Sequence, residues 1–302
     1  MRPPLRGPLW RLAERAADWH PAIGWLVDLV RNVVEHQIID RAAQMAYFLL
    51  FAVFPFLVAL LGVLSLFDLS DEVHTLEALI ADTFPDVIGD LLVDEVHRVA
   101  FADAGGRIVV GLAVSLYASQ RAIAAGIRGV NTAWGSGDGR NFFVVRGIGI
   151  VITLATMVSA VVATLLLTLG AVAIEWVTQR GWLDGALATA LTLLRWPIVL
   201  LMLHGIINLL YRFGANTPMK WSWSTYGSLT ATAGIVIVTV GFQAYVEGVA
   251  DLGATYGSLG AAIGMLLYFY LIATTVFLGA EVDALNWSRR QGPADDSFSL
   301  LR

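Results

Sequence analysis

The sequence predicts an all-α, polytopic membrane protein with about six transmembrane helices. Two observations lead to this fold class: the chain is poor in charge, and long apolar runs recur along it. Of its 302 residues, 57% are hydrophobic and 14% are charged, and the mean hydropathy is +0.71. Because soluble globular proteins carry roughly 25% charged residues, this composition suits a chain whose main solvent is lipid.

Six apolar segments are long enough to cross a hydrocarbon core of about 30 Å, which takes roughly 20 residues. They cover approximately residues 42–67, 108–130, 143–177, 186–211, 226–246 and 256–285. The third segment is long enough to tilt or to project beyond the bilayer. The chain therefore divides into an N-terminal region (1–41), a membrane domain (42–285) and a tail (286–302) that we expect to be flexible.

The basic residues indicate which end of each span is cytoplasmic, because cytoplasmic loops are enriched in Lys and Arg. With the N-terminus inside, only Arg98, Arg107 and Arg180 lie outside, and Arg121 and Arg195 lie within spans. All the other basic residues then face the cytoplasm, and the opposite orientation would invert this bias. We therefore expect both termini to be cytoplasmic.

Two stretches outside the predicted spans have apolar residues at helical spacing. Residues 23–39 form the first, which we expect to lie along the inner membrane surface before the first span. The second, residues 68–106, is rich in Asp and Glu and contains a single Arg, Arg98. It predicts two short amphipathic helices that cap the outer face. Either a solvated acidic surface or a vestibule that attracts cations explains this charge.

Polar side chains within spans are costly in lipid, so they usually face the protein interior and mark functional sites. In the predicted orientation such residues gather in the cytoplasmic half of four helices. They are Arg41, Gln44, Gln120, Arg121, His204, Asn208, Glu281 and Asp283. Arg121 shares a helical stripe with Tyr117 and Arg128, and we predict that it pairs with Glu281. The alternative is that each charged side chain extends to the lipid headgroups.

The scattered histidines and the absence of cysteine predict neither a metal site nor another cofactor. The five histidines are scattered over both predicted sides of the membrane, and none forms a cluster with ligand spacing. We interpret His204 as a hydrogen-bonding group rather than a proton relay. The chain has no cysteine, which excludes disulfides and thiol nucleophiles.

The pentapeptide Thr-Tyr-Gly-Ser-Leu occurs at residues 225–229 and again at 255–259, and each copy opens a predicted span. A helix cap followed by small residues for close packing explains such a motif. An inverted repeat of the transporter kind would also produce it. The residues concerned are Tyr226, Gly227, Ser228, Tyr256, Gly257, Ser258 and Gly260.

Several segments of the sequence resemble the YihY/BrkB family of bacterial inner-membrane proteins. They are 41–55 (RAAQMAYFLLFAVFP), 119–134 (SQRAIAAGIRGVNTAW), 211–216 (YRFGAN), 256–260 (YGSLG) and 279–284 (GAEVDA). Ala215 departs from the family, which often has proline there. The resemblance implies six helices, cytoplasmic termini and a multi-pass location in the plasma (inner) membrane. Members of this family have been called virulence-associated or serum-resistance proteins, and some carry a ribonuclease label.

The residues do not favour a ribonuclease or another enzyme. A ribonuclease needs acid/base or metal-binding groups beside a basic surface that accepts RNA. The sequence shows no such constellation, and its net charge of −5 argues against a nucleic-acid partner. No nucleotide-binding glycine loop is present either.

Two functions remain for a protein whose expected partners are membrane lipids. The first is a transporter or lipid-handling protein, whose cytoplasmic polar cluster receives an anionic lipid headgroup or a small solute through Arg121. The second is a structural or assembly protein of the envelope, whose acidic outer cap binds a partner. A cavity that opens sideways between helices would favour lipid, and one that opens only to water would favour a soluble substrate. A homo-oligomer is compatible with either function.

Overall fold

The computed structural model describes residues 20–65, 105–135, 139–182, 184–216, 223–248 and 260–291, together with 77–78, 80, 89–90 and 93–94. Every regular element within these ranges is a helix, which confirms the predicted all-α class. The helices are α1 (Pro21–Glu35), α2 (Ile38–Ser65), α3 (Gly105–Ala133), α4 (Phe142–Gln179), α5 (Gly185–Leu209), α6 (Tyr226–Gly248) and α7 (Gly260–Gln291). A π-helical turn, Leu210–Gly214, continues α5.

Side chains just outside the helices fix where several of them begin. The amide of Ala22 donates to His20 Nδ1 at the start of α1 over 3.2 Å, and Pro21 occupies the first turn. Asn141 caps α4 through the Phe143 amide at 3.0 Å, and Asp184 caps α5 through the Leu187 amide at 2.7 Å. These acceptors satisfy amides that have no partner within the helix.

Four of the helices are long and apolar enough to cross a membrane: α4, α5 with its π turn, α6 and α7. Much of their apolar surface is exposed, as at Val158, Leu201 and Ile237. Large contiguous apolar surfaces are uncommon on soluble proteins and suit contact with lipid. The positions of α2 and α3 match the first and second predicted spans.

Small residues occupy the interfaces where α2 packs against α3 and where α6 packs against α7. Ala42 and Ala46 of α2 are buried, as are Ala122 and Ala125 of α3. Gly227 of α6 lies directly against Gly279 of α7, so a Cβ added to either glycine would collide with the backbone carbonyl oxygen of the other. Glycine at these two positions therefore lets α6 and α7 approach closely.

Some predictions fall outside the described residues. These include most of the acidic stretch 68–106, the tail beyond residue 291 and the second Thr-Tyr-Gly-Ser-Leu copy with Tyr256, Gly257 and Ser258. Gly260 is the first residue of α7 and is buried. The inverted repeat therefore stays a prediction.

Candidate functional site

Asp283, near the end of α7, caps the beginning of α6. Its Oδ1 accepts a hydrogen bond from the Gly227 amide at 2.6 Å, and its Oδ2 accepts one from the Thr225 hydroxyl at 2.5 Å. The Ser228 amide donates to Thr225 Oγ1 at 3.0 Å, so the first pentapeptide copy is a capping motif. A buried carboxylate at a helix N-terminus also interacts favourably with the helix dipole. Asp283 therefore joins two helices.

Glu281, two residues before Asp283 on α7, is completely buried with 0% exposure. Its Oε1 lies 2.6 Å from Nδ1 of His36, in the short connection between α1 and α2. The prediction that Glu281 pairs with Arg121 is therefore wrong. The connection between α1 and α2 folds back against the end of α7 and brings His36 to the carboxylate. No local pattern in the sequence reveals this contact, because the two residues are 245 positions apart.

Two further contacts fasten α1 to the end of α7. Trp25 donates through Nε1 to Asn286 Oδ1 at 3.0 Å, and Arg289 Nη2 lies 2.6 Å from Asp28 Oδ2. A cavity of about 500 Å³ lies beside them and is bounded by α1, the end of α3 and the end of α7. His36, Asp28 and Arg289 contribute to its wall, as do two tryptophans, Trp134 and Trp287, whose ring centroids are 6.5 Å apart.

Three arginines gather on the outward face of α2 and α3, which we call the arginine face: Arg41, Arg121 and Arg128. Arg128 lies close enough to the other two for their positive charges to repel its own. It also donates to Gln44 Oε1 at the long distance of 3.5 Å, which links α3 to α2. Among the described residues, no carboxylate forms an ion pair with any of the three arginines. The arrangement concentrates positive charge without a carboxylate counter-ion in the part of the chain that the structure describes.

Each guanidinium of the arginine face has a different setting. Arg121 is exposed and folds back on its own helix, where its Nε and Nη2 donate to the Tyr117 hydroxyl at 3.2 and 2.8 Å. Its guanidinium carbon lies 5.2 Å from the centroid of the Tyr117 ring, within cation–π range. Arg41 is half-buried and donates through Nε to the His36 carbonyl at 3.0 Å.

An exposed apolar stripe continues the arginine face along both helices. On α2, Gln44 is followed at helical spacing by Tyr47 and Phe51, whose ring centroids are 4.8 Å apart. On α3, Val114 and Tyr117 precede Arg121 at the same spacing. All of these apolar side chains are exposed. The face therefore changes along the helix axes from cationic to apolar.

The other predicted site residues lie apart from the arginine face. His204 Nδ1 is 2.9 Å from the Thr232 hydroxyl, which agrees with its interpretation as a hydrogen-bonding group. Asn208 Nδ2 donates to the Trp223 carbonyl at 2.9 Å. Gln120 is buried on α3, and Tyr226 is exposed beneath the Arg290 guanidinium, 5.7 Å from the ring centroid. The eight polar residues thus form several separate contacts rather than one cluster.

Sequence reasoning missed the polar contacts around the π turn. Arg140 donates to the carbonyls of Phe213 and Gly214 at 2.8 and 2.6 Å. Asn131 Oδ1 accepts from the Asn216 amide at 2.7 Å, and the Tyr211 hydroxyl donates to the Val276 carbonyl. The bonds of Arg140 and Asn131 satisfy backbone groups where α5 ends, and the bond of Tyr211 joins the π turn to α7. Asn131, Tyr211 and Asn216 lie in two of the segments that resemble the family, 119–134 and 211–216. These two segments meet beside the π turn.

A chain whose described residues form only helices, several of them apolar and long enough to cross a membrane, is a multi-pass membrane protein. The chain matches the family described as virulence factor BrkB over residues 29–298, and it belongs to that family. It is 26% identical over 276 residues to the ribonuclease-like protein YfkH of Bacillus subtilis (strain 168), with 91% of this chain and 100% of YfkH covered. It is 27% identical over 297 residues to a UPF0761 membrane protein of Vibrio vulnificus (strain CMCP6), with coverages of 96% and 90%. No solved structure matches it significantly.

Proposed function

We propose that this protein is a non-enzymatic, lipid-handling transporter of the bacterial inner membrane, which binds the anionic headgroup of a phospholipid at the arginine face. The single observation that carries the proposal is the gathering of Arg41, Arg121 and Arg128 without a carboxylate partner among the described residues. Positive charges that repel one another are stabilised by an anionic ligand, and arginine binds phosphate oxygens with two parallel hydrogen bonds.

The proposed topology has six transmembrane helices with both termini in the cytoplasm. Helices α2 and α3 have 28 and 29 residues, and at about 1.5 Å per residue each is longer than a hydrocarbon core of about 30 Å. Adding them to the four helices α4 to α7 gives the six spans. The excess of basic residues on one side supports the orientation. In this topology α1 lies at the cytoplasmic surface, with its exposed apolar residues Leu26, Val30 and Val34 towards lipid.

The surroundings of the arginine face favour a lipid over a soluble solute. In the proposed orientation Arg41 and Arg128 lie at headgroup depth, and Tyr47, Phe51 and Val114 lie deeper in the bilayer. A phospholipid presents the same order, with an anionic group at the surface and acyl chains below it. A site open sideways along α2 and α3 also lets a lipid enter directly from the membrane.

Native mass spectrometry of the protein in mild detergent tests this proposal. We expect an anionic phospholipid to stay bound to the wild type and to be lost from the Arg121→Ala/Arg128→Ala double variant. Arg180→Ala is the matched control, because Arg180 also stacks on an aromatic ring, that of Trp176, at 3.5 Å, but lies at the other end of the bundle. If all three proteins carry the same lipids in equal amounts, the proposal is wrong.

Transport itself requires a second measurement. Reconstituted protein should move a fluorescent anionic phospholipid between the two leaflets of a vesicle, and the double variant should not. If the lipid binds to the arginine face but does not move, the arginines anchor the protein, and the alternative of an envelope assembly protein gains support. The ribonuclease-like name of the Bacillus relative supplies a further control, since we expect no cleavage of RNA by the purified chain.

A further inference from the structure

Glu281 is a buried acid with only part of its hydrogen-bonding capacity used. Its Oε1 contacts His36, whereas Oε2 is buried and has no hydrogen-bond partner among the described residues. A carboxylate accepts hydrogen bonds on both oxygens, and a buried charge without full compensation is costly. Asp283 is arranged differently, because both of its carboxylate oxygens accept hydrogen bonds. Among the described residues, Glu281 therefore lacks the full set of hydrogen-bond partners that Asp283 has.

His36 connects this buried acid to water. Its side chain is 24% exposed and lines the 500 Å³ cavity beside α1, while Glu281 is 0% exposed and contacts His36 from the buried side. Because Nδ1 of His36 contacts Glu281, Nε2 is the ring nitrogen that exchanges protons with the cavity. A proton taken up at Nε2 lets Nδ1 release its own proton to Glu281 Oε1 across the 2.6 Å contact.

Three other charged groups at this end of the bundle have hydrogen bonds or ion pairs of their own. Arg289 is paired with Asp28, Asp283 caps α6, and Arg41 donates to the His36 carbonyl. The elements that pack around the pair also carry Arg31 and Glu35 on α1, Asp40 and Tyr47 on α2, Tyr117, Arg121 and Arg128 on α3, Tyr211 and Arg212 on the π turn, and Tyr268, Tyr270 and Arg290 on α7. The Arg41 guanidinium is hydrogen-bonded to the backbone of His36. Its positive charge therefore disfavours a positive charge on the His36 imidazole.

We propose that His36 and Glu281 form a proton-binding site that is filled and emptied from the cytoplasmic cavity. His36 relays the proton, and Glu281 holds it inside the bundle. This inference deepens the proposed function, on which its second part rests: a proton is the ion coupled to lipid movement. The proton site and the arginine face share no residue, so each can be tested alone.

Infrared difference spectra of the full-length protein, recorded while the pH is lowered, follow the site directly. We expect the carbonyl band of a protonated carboxylic acid to appear in the wild type and to be lost in Glu281→Gln, which keeps the shape of the side chain. Glu35→Gln is the matched control: it removes an exposed carboxyl next to His36 and should leave this band in place. In His36→Gln, the pH dependence of this band should differ from that of the wild type, because the variant lacks the imidazole that contacts Glu281 Oε1.

The His36→Gln variant keeps the test valid if Glu281→Gln fails to fold. Spectra of wild type and His36→Gln that change identically with pH would overturn the proposal, and so would a Glu281 signal that follows the Na⁺ concentration instead of pH. The measurement detects protonation whether or not any lipid moves. A titrating Glu281 in a protein that transports no lipid would therefore remove the proposed function and keep the proton site, while lipid movement without titration would do the reverse.

Discussion

Asp283 on α7 accepts a hydrogen bond from the amide of Gly227 on α6, at 2.6 Å, and so the end of one helix caps the beginning of its neighbour. The same carboxylate accepts the Thr225 hydroxyl. The bond bridges 56 positions of sequence and fixes the end of the helix pair at which α6 begins. Stability at this end should therefore depend on one buried side chain.

Replacing Asp283 with Ala should destabilise the protein by about 1–3 kcal/mol, because a buried amide and a hydroxyl lose their acceptor. The matched control is Asp184→Ala, which removes the exposed cap of α5 and should cost about 1 kcal/mol or less. Thermal unfolding in detergent, followed by the loss of helical circular dichroism, measures both. Equal losses in the two variants would show that the buried bond has no special weight.

Replacing Gly279 with Ala should force α6 and α7 apart, because the added Cβ would collide with the carbonyl oxygen of Gly227. We expect a loss of about 1–3 kcal/mol, which is typical of overpacking. Gly205→Ala is the control: nothing lies within 4 Å of its Cβ position on α5, and alanine favours a helix by about 1 kcal/mol. Thermal unfolding should therefore shift in opposite directions, and a stabilised Gly279→Ala would contradict the close contact.

The tyrosine hydroxyl of Tyr117 should position Arg121 for the lipid headgroup. Tyr117→Phe removes both hydrogen bonds to the guanidinium but keeps the ring beneath it. We expect a weaker retention of anionic phospholipid in native mass spectra than in the wild type, and a smaller loss than in the Arg121→Ala/Arg128→Ala double variant. If Tyr117→Phe retains lipid as the wild type does, the cation–π contact alone positions Arg121.

The absence of cysteine from the chain makes the topology easy to test with single cysteines. Ser288→Cys, near the end of α7, and Trp182→Cys, between α4 and α5, both replace exposed side chains. In spheroplasts, a membrane-impermeant maleimide should label Trp182→Cys at once and Ser288→Cys only after lysis. The reverse pattern would place the termini outside and would remove the arginine face from the cytoplasmic side.

The sequence by itself determined the helical class and the approximate helix positions. Long apolar runs require helices in lipid, because a helix satisfies its own backbone hydrogen bonds. For the same reason the predicted segments 143–177 and 226–246 lie close to the observed α4 and α6. The capping role of the first pentapeptide copy was also readable, since Thr and Ser before a helix have a local preference for that position.

Only the tertiary structure decided which polar groups meet. The sequence pattern placed Glu281 and Arg121 in the cytoplasmic half of their predicted spans, but depth does not determine which helix faces which. Because the α1–α2 connection packs against α7, Glu281 pairs with His36. Arg121 lies instead on the exposed surface of the bundle, where it donates to Tyr117. Partner choice among buried charges depends on contacts between residues far apart in the chain. Local sequence patterns carry no record of such contacts, and the packing of the helices creates them.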